Sequence, residues 1–162
     1  MRPVKTVVCA VLCVASLLPL SLLAQTSKTP STDMQILLEK IKADKKLLVA
    51  SNMEMTETEK TAFWPIYDAY QKDLQGINER MAKSIRSYAD AYNAKSITNE
   101  QAKKLTDEVL AIEADEAKLR STYATKLGAA LPARTVARYL QIENKIRAAL
   151  RYDMASSIPL VP

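Results

Sequence analysis

The sequence predicts an all-α protein, and three observations support this prediction. Beyond its first 24 residues the chain is rich in Ala, Lys, Glu, Leu and Gln, which are strong helix formers, and it has no β-branched run. Glycine occurs only twice, at Gly76 and Gly128. A short phrase typical of helix starts occurs twice, and each copy precedes a long stretch with apolar residues at helical spacing.

The repeated phrase places a threonine after an apolar residue and three positions before Glu or Gln. Its two copies are built on Met55, Thr56 and Glu59, and on Ile97, Thr98 and Gln101. The threonine hydroxyl can accept from a free amide of the first turn, while the side chain three residues later bonds the threonine amide. Each copy therefore predicts the start of a helix.

Residues 1–24 are predicted to be a secretory signal peptide. Arg2 and Lys5 supply positive charge, the following 19 residues are uncharged and mostly apolar, and Ala24 is a small residue suited to cleavage. The alternative is an uncleaved anchor, because 19 residues approach the length that spans a bilayer. Pro19 favours the signal peptide. We expect a periplasmic or secreted bacterial protein, with no stable membrane insertion after cleavage near Ala24.

The composition of the mature chain, 25–162, excludes several functions. It has no histidine, and both cysteines, Cys9 and Cys13, lie in the signal peptide. Without imidazole or thiol groups we expect no metal site, no cofactor and no catalytic residue. The acidic cluster 113–116 is interpreted as a solvated helix face, with a hard-cation site as the alternative. Its 21 basic and 18 acidic residues give a net charge of +3, too small to indicate nucleic-acid binding.

Four helices are predicted in one helical domain, 32–155. A disordered polar leader, 25–31, precedes this domain, and an apolar tail, 156–162, which two prolines keep extended, follows it. The predicted helices span 33–50, 57–93, 99–129 and 132–155. The two middle helices are long and amphipathic, so we expect an elongated helical hairpin.

The second helix contains a proline at Pro65 and a coiled-coil-like apolar stripe. We expect Pro65 to kink a helix that starts after Thr56; the alternative is a start at 64–65. The stripe is formed by Phe63, Tyr67, Tyr70, Leu74, Ile77, Met81 and Tyr88.

A polypeptide-binding or dimer surface is the candidate functional site. Met53 and Trp64 are its apolar candidates, although an aromatic block around Trp64 is also typical of a helical core. Its basic candidates are four arginines of the last helix, for which a solvated flank is the alternative interpretation. These are Arg134, Arg138, Arg147 and Arg151.

With Ile for Leu, the phrase at 97–101 matches Leu-Thr-x-x-Gln, and the phrase at 55–59 matches it more loosely. The chain resembles the Spy/CpxP-like family of exported helical proteins. The resemblance lies in these two phrases, in the aromatic block 63–67 and in residues 138–143. The resemblance implies a long helical hairpin that pairs into a curved homodimer. It also implies ATP-independent holding of unfolded polypeptides, or inhibition of an envelope stress sensor, through a concave basic and apolar face.

Two functions therefore remain open at the level of sequence. The first is a periplasmic chaperone-like or stress-related protein that adsorbs unfolded polypeptides through scattered apolar and basic side chains. The second is a structural or regulatory adaptor that pairs through its helical stripe with one partner or with its own copy. An enzyme or metal carrier is disfavoured by the missing histidine and cysteine.

Overall fold

The computed structural model describes residues 32–162, with side chains from Gln35 onward except that of Lys42. The predicted signal peptide and leader, 1–31, lie outside the described residues. Residues 32–162 are almost entirely helical and contain no β-strand. The helical spans are α1 (Thr32–Asn52), α2 (Glu57–Asn93), α3 (Asn99–Ala130) and α4 (Ala133–Ser157).

The predicted number of four helices is wrong, because α1 consists of two helices. Asp44 has an extended backbone (φ −161°, ψ 94°) that separates residues 32–43 from residues 45–52. Its Oδ1 accepts a hydrogen bond from the Leu47 amide at 2.8 Å, so Asp44 caps the second piece. A short polar side chain can compete for backbone amides in this way. The described chain therefore has five helices.

Both repeated phrases form complete capping boxes. The Thr56 hydroxyl accepts from the Glu59 amide at 3.3 Å, and Glu59 Oε2 accepts from the Thr56 amide at 2.8 Å. The Thr98 hydroxyl likewise accepts from the Gln101 amide at 3.2 Å, and Gln101 Oε1 accepts from the Thr98 amide at 2.9 Å. These bonds fix the first residues of α2 and α3.

Prolines affect α2 and α4 differently. Helix α2 begins at Glu57 and continues through Pro65, so a helix start at 64–65 is excluded. Pro65 has no N–H, which leaves the Thr61 carbonyl without its usual partner four residues later. In α4, Pro132 lies at the N-cap and the first helical residue is Ala133, one residue later than predicted.

Helices α2 and α3 form a long antiparallel hairpin, and α4 lies beside it, parallel to α2. Tyr70 contacts Tyr123 across the hairpin with ring centroids 5.3 Å apart. Near the start of α4, the Tyr139 ring lies 5.0 Å from the Phe63 ring. The second piece of α1 packs on α4 and reaches α2 through Lys46, which bonds Asp68 at 2.7 Å.

The hydrophobic core is concentrated at the end of the hairpin that carries α1 and the start of α4. Phe63, Tyr67 and Tyr139 form an aromatic cluster there, and all three are buried. The core also contains aliphatic residues from every helix, including Leu38, Ile41, Val49, Leu74, Leu127, Val136 and Ile146. Three or four helices surround this region, which lets the apolar stripes cover one another.

The other end of the hairpin is only two helices thick. Helix α4 has 25 residues, against 37 in α2 and 32 in α3, and it ends at Ser157. Ile112 is buried, but Val109 and Leu105, one and two turns nearer the hairpin turn, are only partly buried. The apolar stripes of α2 and α3 therefore continue beyond the last helix able to cover them.

Candidate functional site

The uncovered stripes form an apolar groove at the two-helix end of the hairpin, which we call the distal groove. It encloses about 420 Å³. The residues that line it from α2, α3 and the turn between them are Met81, Ser84, Ile85, Tyr88, Ile97, Ala102, Leu105, Thr106, Val109 and Leu110. Steps of three and four residues place each helix's contribution on one face.

The last residues of the chain cover part of this groove. Ile158 has an extended backbone (φ −96°, ψ 117°), and α4 ends there. Residues 158–162, which we call the C-terminal segment, continue without helix, and residues 158–161 also line the distal groove. The Tyr88 hydroxyl donates a hydrogen bond to the Pro159 carbonyl at 2.9 Å. Residues 156 and 157 of the predicted tail belong to α4 instead.

The cover is loose, so apolar surface remains accessible. Leu160 is 89% exposed and Val161 is 56% exposed, although both line the groove. On the α3 side Leu110 is 59% exposed. Every residue lining the groove is uncharged, so its attraction for a ligand is mainly hydrophobic and has little directionality.

Three of the four predicted surface arginines form bonds within the chain. Arg138 donates to the Asn52 carbonyl at 2.7 Å and lies 3.3 Å from Glu54. Arg147 bonds Glu116, and Arg151 lies 3.1 Å from the same carboxylate. Arg134 is exposed. The last helix therefore presents much less unpaired positive charge than its sequence suggests.

The Glu116 carboxylate is the centre of this arginine cluster. Burial alone would raise its pKa, but the hydrogen bond and charge of Arg147, together with those of Arg151, outweigh burial and hold the pKa below its ordinary value. The same hydrogen bond raises the pKa of Arg147. These ion pairs join α3 to α4 and serve the fold.

The two apolar candidates also belong to the packed end of the bundle. Met53 is buried in the core cluster, so in this fold it cannot offer an exposed surface. Trp64 is half-buried, and its ring contacts Phe63 edge-on at 4.9 Å. Lys46 Nζ lies 5.1 Å from the centroid of the Trp64 ring, a cation–π contact that covers part of it.

The acidic cluster of α3 is also bonded to arginines. Asp115 accepts from Arg80 at 2.6 Å, and Glu113 lies 3.3 Å from Arg151. Among the residues that the structure describes, no group of three or more His, Cys, Asp or Glu residues is arranged to hold a metal ion. None of the helices in 32–162 is long and apolar enough to cross a membrane.

A second cleft, of about 960 Å³, lies between α2 and α3 and has charged residues in its walls. Its walls carry both signs of charge, including Lys83, Lys104 and Glu100. Arg80 in this cleft is already paired with Glu108 at 3.1 Å. The mixed charge favours neither an anionic nor a cationic ligand, so the distal groove is the stronger candidate.

Sequence reasoning identified the apolar stripe of α2 but not the groove that part of it forms. A signal was present in the chain: the predicted last helix is shorter than the hairpin it must cover, and an apolar segment follows it. Comparison with known proteins adds no independent guide to this surface. No protein-family model matches the chain, and no curated protein or solved structure matches it either.

Proposed function

We propose that this chain is an exported, chaperone-like protein that binds extended apolar polypeptide segments without ATP. The observation that carries the proposal is the distal groove with the chain's own extended segment against it. The resemblance to Spy/CpxP-like proteins supports the same function. The intramolecular pairing of Arg138, Arg147 and Arg151 moves the proposed binding surface away from α4 and onto the end of the hairpin.

We expect binding at such a surface to be weak, because it depends on a small number of aliphatic contacts. Two or three partly buried aliphatic side chains contribute about 4–6 kcal/mol before the cost of ordering the segment is subtracted. Since only the surplus over that cost appears as affinity, dissociation constants should be no tighter than tens of micromolar. Weak, non-directional binding would let a client leave and fold, and the small positive charge of the chain would steer acidic clients only modestly.

The test is suppression of aggregation of a reduced or heat-stressed client by the mature chain without nucleotide. Leu110→Gln removes an exposed apolar side chain from the groove and should abolish most of the suppression. Leu47→Gln is the matched control, because Leu47 is 64% exposed on α1 and does not line the groove. This control should retain activity.

Two outcomes would contradict the proposal. One is no suppression by the unmodified chain at several-fold molar excess over the client. The other is equal loss of activity in Leu110→Gln and Leu47→Gln, which would separate activity from the groove. Recovery of one stoichiometric partner, with no affinity for unfolded chains, would favour the adaptor function instead.

A further inference from the structure

The C-terminal segment has the chemistry of a ligand for the groove that it touches. Its sequence is Ile-Pro-Leu-Val-Pro, without a charged side chain. Proline has no N–H, so Pro159 and Pro162 add no backbone donor that burial would leave unpaired, and both oppose helix formation. The segment therefore stays extended and presents aliphatic side chains and a carbonyl to the groove.

Its attachment to the groove is stabilised by few interactions. The hydrogen bond from Tyr88 to the Pro159 carbonyl is its one hydrogen bond to the hairpin in the described chain. Ile158 is partly buried, whereas Leu160 is 89% exposed. A segment so held detaches at little free-energy cost compared with a core element, which has many buried apolar contacts.

Covalent attachment compensates for this weak contact. The segment follows α4 without a linker, so its effective concentration at the groove is about millimolar or higher. A free segment with a similar intrinsic affinity must compete against that concentration. Its apparent dissociation constant equals the intrinsic value divided by the fraction of grooves that the chain's own segment leaves free.

We infer that residues 158–162 act as an intramolecular competitor, which occupies part of the distal groove until an extended, uncharged aliphatic segment containing proline displaces it. This inference rests on the proposed function only for the location of the groove. It adds the chemical class of the ligand, of which the segment itself is an example. It also adds a mechanism by which the chain lowers its own affinity for such ligands. The Tyr88 hydroxyl becomes the donor that the incoming segment's carbonyl must meet.

The experiment measures binding of a fluorescent peptide with the sequence of residues 157–162 by anisotropy. The proteins are the full mature chain and a full-length segment variant carrying Ile158→Ser, Leu160→Ser and Val161→Ser. Weakening the internal competitor should tighten peptide binding about tenfold or more. Equal affinity for both proteins, or no binding to the segment variant, would overturn the inference.

Further variants locate the peptide. Each further substitution is made in the segment variant. Tyr88→Phe keeps the ring but removes the hydrogen-bond donor, so it should weaken peptide binding several-fold. Leu110→Gln should have a similar effect, and Leu47→Gln should leave peptide binding unchanged. A peptide with Asp in place of its leucine should bind at least tenfold more weakly. Light scattering should show the same oligomeric state for the full chain and the segment variant; a dimer that the segment variant dissolves would assign the segment to a second copy and overturn the inference.

The two proposals fail separately. If the segment variant binds the peptide tightly but neither protein suppresses client aggregation, the competitor stands and the chaperone-like function fails. If both proteins suppress aggregation equally and bind the peptide equally, the function stands and the competitor fails. Circular dichroism and thermal melting of each variant verify that the fold is retained.

Discussion

The hydroxyl of Thr135 donates a hydrogen bond to Oε1 of Glu59 at 2.8 Å, while Oε2 of the same carboxylate accepts from the Thr56 amide. The side chain that closes the first capping box therefore also bonds α4. The Thr56 amide bond, followed by the bonds from the two threonine hydroxyls, lowers the pKa of Glu59. In the described chain, Gln101 closes the second box with Thr98 and makes no hydrogen bond to another helix.

The two boxes should therefore respond differently to the same truncation. Glu59→Ala should lower the free energy of unfolding more than Gln101→Ala, because it also leaves the buried hydroxyl of Thr135 without its acceptor. Thr56→Ala and Thr98→Ala should each cost about 1 kcal/mol. Urea denaturation of the four variants tests this difference. Equal effects of the Glu59 and Gln101 substitutions would show that the bond to α4 contributes nothing.

A buried ion pair should be sensitive to removal of one partner. Glu143 is 2% exposed and accepts from Lys45 Nζ at 2.6 Å. Lys45→Met would leave that carboxylate buried without its hydrogen-bonded cation, with only the more distant charge of Arg147 near it, and we expect a loss of about 3 kcal/mol in the free energy of unfolding. The double variant Lys45→Met, Glu143→Leu should recover most of the loss. Thermal melting of the single and the double variant measures this recovery. A double variant less stable than the single one would contradict the expectation.

One substitution should give opposite results at two tyrosines. The Tyr123 hydroxyl donates to Asp73 at 2.6 Å, a bond that raises the pKa of Tyr123 to about 12. Tyr123→Phe should therefore destabilise the fold by about 1 kcal/mol. The buried hydroxyl of Tyr139 makes no hydrogen bond of good geometry in the described chain, although the Gln71 side chain lies close to it. In chemical denaturation, Tyr139→Phe should leave the free energy of unfolding unchanged or raise it slightly. A larger loss of stability at Tyr139 than at Tyr123 would contradict this prediction.

Acid should weaken the contact between α3 and α4. The pKa of Glu116 in the folded chain is below its ordinary value of 4.5, so the ionised carboxylate binds its arginines more strongly in the folded state. This contribution is complete above the ordinary pKa and is lost as the pH falls below 4.5 and through the lower folded value.

Glu116→Gln should flatten that part of the pH dependence of unfolding. Glu113→Gln is the control, because Glu113 is more exposed and contacts Arg151 at the longer distance of 3.3 Å. Denaturation midpoints of the unmodified chain and both variants, measured as the pH is lowered through 4.5, test this expectation. An unchanged slope in Glu116→Gln would remove Glu116 as the source of the acid sensitivity.

The all-α fold and the limits of the long helices were predictable because local chemistry determines them. Thr56 and Thr98 mark the starts of α2 and α3 through bonds within one turn, and no distant residue is needed. The break at Asp44 was not predictable in this way. No glycine or proline marks it, and the only trace in the sequence is a lapse of the apolar pattern of α1 at residues 42–46, where Ala43 alone is apolar.

The candidate surface was harder to predict because it depends on the relative positions of helices. Sequence shows that Arg147 and Arg151 share a helix face, but not that Glu116 of α3 lies opposite them. Periodicity likewise places Leu105 and Val109 on one face without showing that this face is only partly buried near the end of α4. Both facts come from the packing of α3 against α4.

The unequal thickness of the bundle has a consequence for its motions. Amide protons around Phe63 are enclosed by three helices, so we expect them to exchange with solvent more slowly than those of the two-helix end. Backbone amides between about Ile85 and Leu105 can exchange when the two-helix end frays by itself. The proposed binding surface thus coincides with the least protected part of the hairpin, where an incoming chain can reshape the helices at low cost.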